Sequence, residues 1–216
     1  MKKILFPIAM MATLLVAGCA KDNLVEPKPL QDGTTVLTAV AAPSVKTVLQ
    51  DDEKVLWTNG DKINVNGVES AALELKEAAE TATFSVGSVL STPYKAVFPA
   101  SIYKDENTVT LPAYQTYKAG SFAETASPMA AVSESSTLQF DHLCAVLKLT
   151  VNLPENSEHN SIKYVDFYAK GGEQISGDFT LDYKTLSLTG ASTADADKKV
   201  RYNVSKTLGE EPFVMY

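Results

Sequence analysis

From residue 34 onward, turn residues cut the sequence into short runs, and this constrains the fold more than any other feature. Residues 34–40 (TTVLTAV), 81–86 (TATFSV), 94–98 (YKAVF) and 108–111 (TVTL) are rich in β-branched and aromatic side chains, which fit a pleated, half-buried surface. Pro93, Pro99 and Pro112 break these runs, and Asn59-Gly60-Asp61 and Asn66-Gly67 supply the positive φ that tight turns need. Residues 45–49, 54–58, 128–132, 162–168, 177–181, 186–189 and 200–204 read as further strands. Residues 138–153 look the most strand-like, because Leu147, Leu149, Val151 and Leu153 alternate with Lys148, Thr150 and Asn152. The stretch 70–80 (SAALELKEAAE) has helix-forming composition, yet Leu73 and Leu75 alternate with Glu74 and Lys76; we read it as a short strand and loop, with a one-turn helix as the alternative. Many short strands with regular turns predict an all-β chain of antiparallel β-sandwich domains.

The N-terminus is of a different kind. Lys2 and Lys3 precede an uncharged apolar run over residues 4–16, and Ala17 and Gly18 lead into Cys19. These are the three parts of a secretory signal peptide, here residues 1–18. Leu15-Val16-Ala17-Gly18-Cys19 resembles the lipobox of bacterial lipoproteins, which implies cleavage before Cys19 and lipid attachment to it. An uncleaved membrane anchor would need about 20 apolar residues, and the run falls short. Residues 19–33 contain Pro27, Pro29 and mixed charge and read as a lipidated tether, with Lys21-Asp22 resembling the surface-export signals of some Bacteroidetes lipoproteins.

Composition limits the partners. The chain has 216 residues and a formal net charge of -7, so it carries no basic surface for neutralising phosphates, and nucleic acid is not expected as a partner. Of two cysteines, Cys19 is assigned to lipid and Cys144 lies in an apolar run, where it reads as a small buried hydrophobe. The two histidines are His142, beside Asp141, and His159, in a polar loop. Asp51-Asp52-Glu53 reads as a solvated acidic turn rather than a calcium site. The chain has no phosphate-cradling glycine loop, no G-x-S-x-G elbow and no H-E-x-x-H. We therefore expect no enzyme, no catalytic set, no metal site and no cofactor.

An ordered series of segments carries a family resemblance. It runs through Lys46-Thr47-Val48-Leu49, Val55-Leu56-Trp57-Thr58-Asn59-Gly60-Asp61, Tyr94-Lys95-Ala96-Val97-Phe98-Pro99 and Phe140-Asp141-His142-Leu143-Cys144-Ala145-Val146-Leu147-Lys148. Together these resemble the fimbrillin-like lipoproteins of Bacteroidetes, relatives of fimbrial subunits and their anchors. The resemblance implies sandwich domains of transthyretin-like topology, an outer-membrane location with surface exposure, and assembly with other subunits, or with itself, by strand exchange. In that family a protease removes an N-terminal strand after Arg or Lys; here the strand would be residues 34–41. The sole arginine is Arg201, so Lys46 is the candidate processing site. On this reading the N-terminal sandwich spans 34–153, a polar connector follows, and 160–216 begins a C-terminal sandwich that the sequence leaves incomplete.

Aromatic residues supply the remaining candidates. Tyr114, Tyr117 and Phe122 lie in a polar stretch, 113–125, and would form an exposed cluster that contacts a ligand or packs the loop down. Trp57, the only tryptophan, reads as core, although a lone Trp can also stack on a sugar. Two functions follow: a structural or adhesive fimbrial subunit, or a lipid-anchored module that binds a glycan or host receptor.

Overall fold

The computed structural model describes residues 33–41, 55–119, 125–152, 160–209 and 212–215. Cys19, the tether up to residue 32, Lys46, Asp51-Asp52-Glu53, Phe122 and His159 lie outside them. The chain is all-β. Its first half holds β1 (Thr35–Val40), β2 (Asn64–Val65), β3 (Val68–Glu69), β4 (Thr81–Val86), β5 (Tyr94–Phe98), β6 (Tyr103–Asp105), β7 (Thr108–Leu111) and β8 (Tyr114–Thr116). Then come β9 (Met129–Ser133), β10 (Thr137–Gln139), β11 (Asp141–His142), β12 (Leu149–Val151), β13 (Ser161–Tyr168), β14 (Gly177–Asp182), β15 (Ser187–Gly190), β16 (Lys199–Thr207) and β17 (Phe213–Met215). The helical content of the described residues is two 3-10 turns, Ala100–Ile102 and Asp195–Lys198.

The strands form sheets in the orders β10-β1-β4, β11-β9-β5-β2-β3, β15-β14-β7-β6, β13-β16-β8 and β12-β17. Most pairs are antiparallel, as expected, but β1–β10 and β16–β8 are parallel. The first core lies between β10-β1-β4 and the five-stranded sheet. There Trp57 meets Phe84, Phe98 and Phe140 edge-on, at ring-centroid distances of 5.1, 5.1 and 5.3 Å. Leu37, Phe84, Ala96, Met129, Ala131 and Leu138 are fully buried in the same cluster.

In the middle of the five-stranded sheet, β5 and β9 are buried on both faces. Ala96 and Phe98 of β5 and Met129 and Ala131 of β9 enter the first core. Val97 and Ala130, their neighbours in sequence, turn the other way and join Ile102, Val109, Phe179 and Leu181 in a second core against β15-β14-β7-β6. Small residues on β5 and β9 suit a strand that is covered on both sides, where an alternating polar face would be left unpaired. A third core joins Tyr202, Val204, Leu208, Phe213 and Met215, with Leu149, Val165 and Phe167 packed against it.

Strand pairing is not divided at the polar connector. β7, β8 and β12 all precede it, yet they pair with β14, β16 and β17 beyond it. The stretch 138–153 is also less strand-like than its alternation predicts. It contributes only part of β10, β11 and β12, and Leu147 is exposed. Residues 70–80 form no helix. Ser70 bridges Val86, Ala79 bridges Trp57, and Leu73 is buried. The backbone hydrogen bonds that a helix would use internally go instead to the Asn59-Gly60-Asp61 turn. The Gly60 amide donates to the Leu73 carbonyl at 2.9 Å and the Leu73 amide to the Asp61 carbonyl at 2.9 Å. Burial of Leu73 in the first core thus overrides helix propensity, which is worth only tenths of a kcal/mol per residue.

Candidate functional site

β1 occupies a slot between two strands of a sheet whose inner face is buried in the first core. On one side it pairs with β4, antiparallel, from Thr35 opposite Val86 to Val40 opposite Thr81. On the other it pairs with β10, parallel, from Thr38 opposite Thr137 to Val40 opposite Gln139. Further bonds fix both ends: the Thr35 hydroxyl donates to the Ser88 carbonyl at 2.7 Å, and the Ala41 amide donates to the Glu80 carbonyl at 2.8 Å. Leu37 and Ala39 point into the first core with no exposed surface, while Val36, Thr38 and Val40 take the opposite, half-buried face. This is the period of two of a β-strand, although Val36 and Val40 make the outer face apolar as well.

The slot has one consequence for chain cleavage. β1 ends at Val40, and the next described strand-forming residue is Trp57. A single cut between them, at Lys46 for example, would leave β1 attached to the fold by hydrogen bonds and core contacts alone. Without β1, β4 and β10 would face each other with unpaired edges, and Phe84 and Leu138 would lose the side chain that covers them.

The sequence-derived aromatics separate. Tyr114 starts β8 and is exposed, so it belongs to a strand rather than to a loop. Tyr117 packs on Phe213 with centroids 4.9 Å apart, beside the third core, which corrects its placement in an exposed cluster. Trp57 is core, buried to 1%.

The titratable candidates are held by packing. Ser127 Oγ and His142 Nδ1 share a hydrogen bond of 3.3 Å. Burial lowers the His142 pKa, and the neighbouring Asp141 opposes that shift. Asp141 and His142 are successive strand residues, so their side chains take opposite faces and the carboxylate does not orient the imidazole. Cys144 sits half-buried against the second core, and burial raises its thiol pKa. Among the described residues, no group of three or more His, Cys, Asp or Glu side chains is placed to hold a metal ion. A cleft of about 440 Å³ opens between Asn66, Lys95, Tyr103, Glu106 and Tyr183. Its charges are paired: Lys95 reaches Glu106 at 3.0 Å and lies 5.3 Å from the Tyr183 ring centroid, and burial pushes the Tyr183 hydroxyl up to about 12.

No family model, no curated protein and no solved structure matches the chain.

Proposed function

We propose that the chain is an exported, lipid-anchored surface protein that serves as a structural or adhesive subunit of a fimbria and assembles by β-strand exchange. The observation that carries this reading is the β1 slot: a strand near the N-terminal end of the fold, paired with β4 along its whole length and with β10 over Thr38–Val40, and filling a core with Leu37 and Ala39. A slot of this kind offers an incoming strand backbone hydrogen bonds for affinity and alternate side-chain pockets for register. The signal-like leader and Cys19 support membrane attachment, and the fimbrillin-like segments support polymer assembly.

The test compares the protein in the membrane with the protein released by shearing the cell surface. Intact mass and N-terminal sequencing of the sheared material should find a lipid-free chain starting at Thr47, in ladders that resist mild detergent. Sheared material without ladders, with residues 19–46 still covalently attached in every surface form, overturns assembly by strand exchange.

A further inference from the structure

The outer face of β13-β16-β8 gathers aromatic rings that the cores do not use. Among the described residues, Tyr114, Tyr164 and Tyr168 are the exposed tyrosines, at 64%, 45% and 64%, and all three belong to this sheet. Strand register explains the gathering. Tyr114 of β8 stands opposite Arg201 of β16, and Arg201 stands opposite Asp166 of β13. Tyr164 and Tyr168 flank Asp166 two residues either way, so they share its face. Tyr202 and Val204 of β16, and Val165 and Phe167 of β13, turn inward to the third core. At ~3.3 Å per residue and ~4.8 Å between strands, Tyr164 and Tyr168 lie about 13 Å apart along β13, with Tyr114 about 10 Å across the sheet.

The floor between the rings is fixed before anything binds. Arg201, the chain's only arginine, donates from Nε and Nη2 to the two oxygens of Asp166, both at 2.7 Å. Its guanidinium carbon lies 3.9 Å from the Tyr164 ring centroid, a stacked cation–π contact. The Tyr168 hydroxyl donates to Asp166 Oδ2 at 3.3 Å. One arginine and one carboxylate therefore orient two of the three rings, which reduces the ordering cost of binding.

From this geometry we propose that the face is a binding platform for a neutral polysaccharide chain, with Tyr114, Tyr164 and Tyr168 stacking against sugar rings. Three observations select that ligand. The rings are spread along an open sheet face, which suits an extended chain better than a compact molecule. The central charges cancel each other, and the protein as a whole is acidic, so a polyanion gains little. No residue on this face within 114–116, 164–168 or 199–203 is aliphatic, so a protein partner would find no apolar anchor, and Arg201 is already committed to Asp166. What remains are flat rings, hydroxyls, amides and the single ammonium of Lys199, which lies 6.0 Å from the Tyr168 ring centroid; this set suits a ligand that alternates C–H faces with hydroxyl groups, and the salt dependence below separates it from an anionic one. The platform shares no strand with the β1 slot, so it does not depend on assembly by strand exchange.

The test is native electrophoresis of the full chain through gels containing galactomannan, xyloglucan, mixed-linkage β-glucan or soluble starch. At least one polysaccharide should retard the protein, and retardation should persist at high salt. Tyr114→Ala, Tyr164→Ala and Tyr168→Ala should each weaken binding about five- to tenfold, the triple variant should abolish it, and Tyr114→Phe should retain it. Arg201→Lys should also weaken binding, because it keeps the charge but loses the fork that orients Tyr164. Tyr114→Ala changes an exposed ring outside the cores, so it remains informative if the triple variant is unstable. The proposal is overturned if none of the four polysaccharides retards the chain, if Tyr114→Ala binds as well as the parent, or if retardation vanishes at high salt. It is equally overturned if sedimentation shows a dimer that Tyr114→Ala dissociates, which would assign the face to a second copy.

Discussion

Replacing Leu37 with alanine tests the β1 slot most directly. Leu37 is wholly buried, stands opposite Phe84, and shares the first core with Trp57 and Leu138. Truncating a buried leucine costs ~2–5 kcal/mol, more where the surroundings cannot close over the cavity. Collapse is restricted here. Phe84 and Leu138 are fixed on the two strands that flank β1, and Trp57 is wedged against three phenylalanine rings. The upper half of that range is therefore expected. Val36→Ala is the control, since Val36 is on the opposite, half-buried face and should cost about 1 kcal/mol or less. Trp57, the only tryptophan, reports on the same core, so urea unfolding followed by its fluorescence reads both variants. The energy carries over to exchange: a free peptide of residues 34–41 offered to chain that has been cut after Lys46 and stripped of its own β1 should bind at least about 300-fold more weakly with Leu37→Ala. If Leu37→Ala costs no more than Val36→Ala, β1 does not fill the core in this register and the reasoning fails.

Other perturbations probe separate parts of the fold. Gly67 has φ +86, and a Cβ there would stand 3.0 Å from the Tyr103 hydroxyl; Gly67→Ala should lower stability by about 1–2 kcal/mol in thermal or urea unfolding. Burial lowers the His142 pKa from 6.5, so the unfolded chain binds the proton more readily. Stability from this group is complete above 6.5 and falls as pH drops toward the folded value, and urea midpoints should lose that slope in His142→Gln. The Cys144 thiol is pushed up by burial, so it should react with a thiol reagent more slowly in the folded protein than after unfolding, followed by mass. The Arg201 guanidinium holds the Asp166 carboxyl below its usual range, and an NMR titration should show that carboxyl moving up in Arg201→Ala.

Local features were legible in the sequence where one strand or one turn decides them. The β-branched run TVLTAV identified β1, and Asn66-Gly67 marked the two-residue turn between β2 and β3, where φ is 50 and 86. Trp57 read as core because apolar neighbours flank it. Features set by pairing across the chain were not legible. Alternation over 138–153 promised one buried face, but the strand β12 begins only at Leu149 and meets only the short β17, and Leu147 before it is exposed. Tyr117 looked equivalent to Tyr114, yet Phe213, far along the chain, draws it inward. The platform shows both situations. That Tyr164 and Tyr168 share a face follows from their spacing, whereas the register that sets Arg201 between Asp166 and Tyr114 is a property of the assembled sheet.

The two proposed surfaces can be separated experimentally because the fold separates them physically. The β1 slot belongs to β10-β1-β4 and drains into the first core; the tyrosine face belongs to β13-β16-β8 and sits over the third. The two cores have no buried residue in common. Substitutions without shared partners add to within a few tenths of a kcal/mol, so Leu37→Ala and Tyr114→Ala should combine additively in unfolding. They should also fail differently. Leu37→Ala should weaken strand exchange and leave polysaccharide retardation unchanged, and Tyr114→Ala should do the reverse. A double variant with less than additive loss would mean that strain passes between the two cores, and that filling the slot alters the platform.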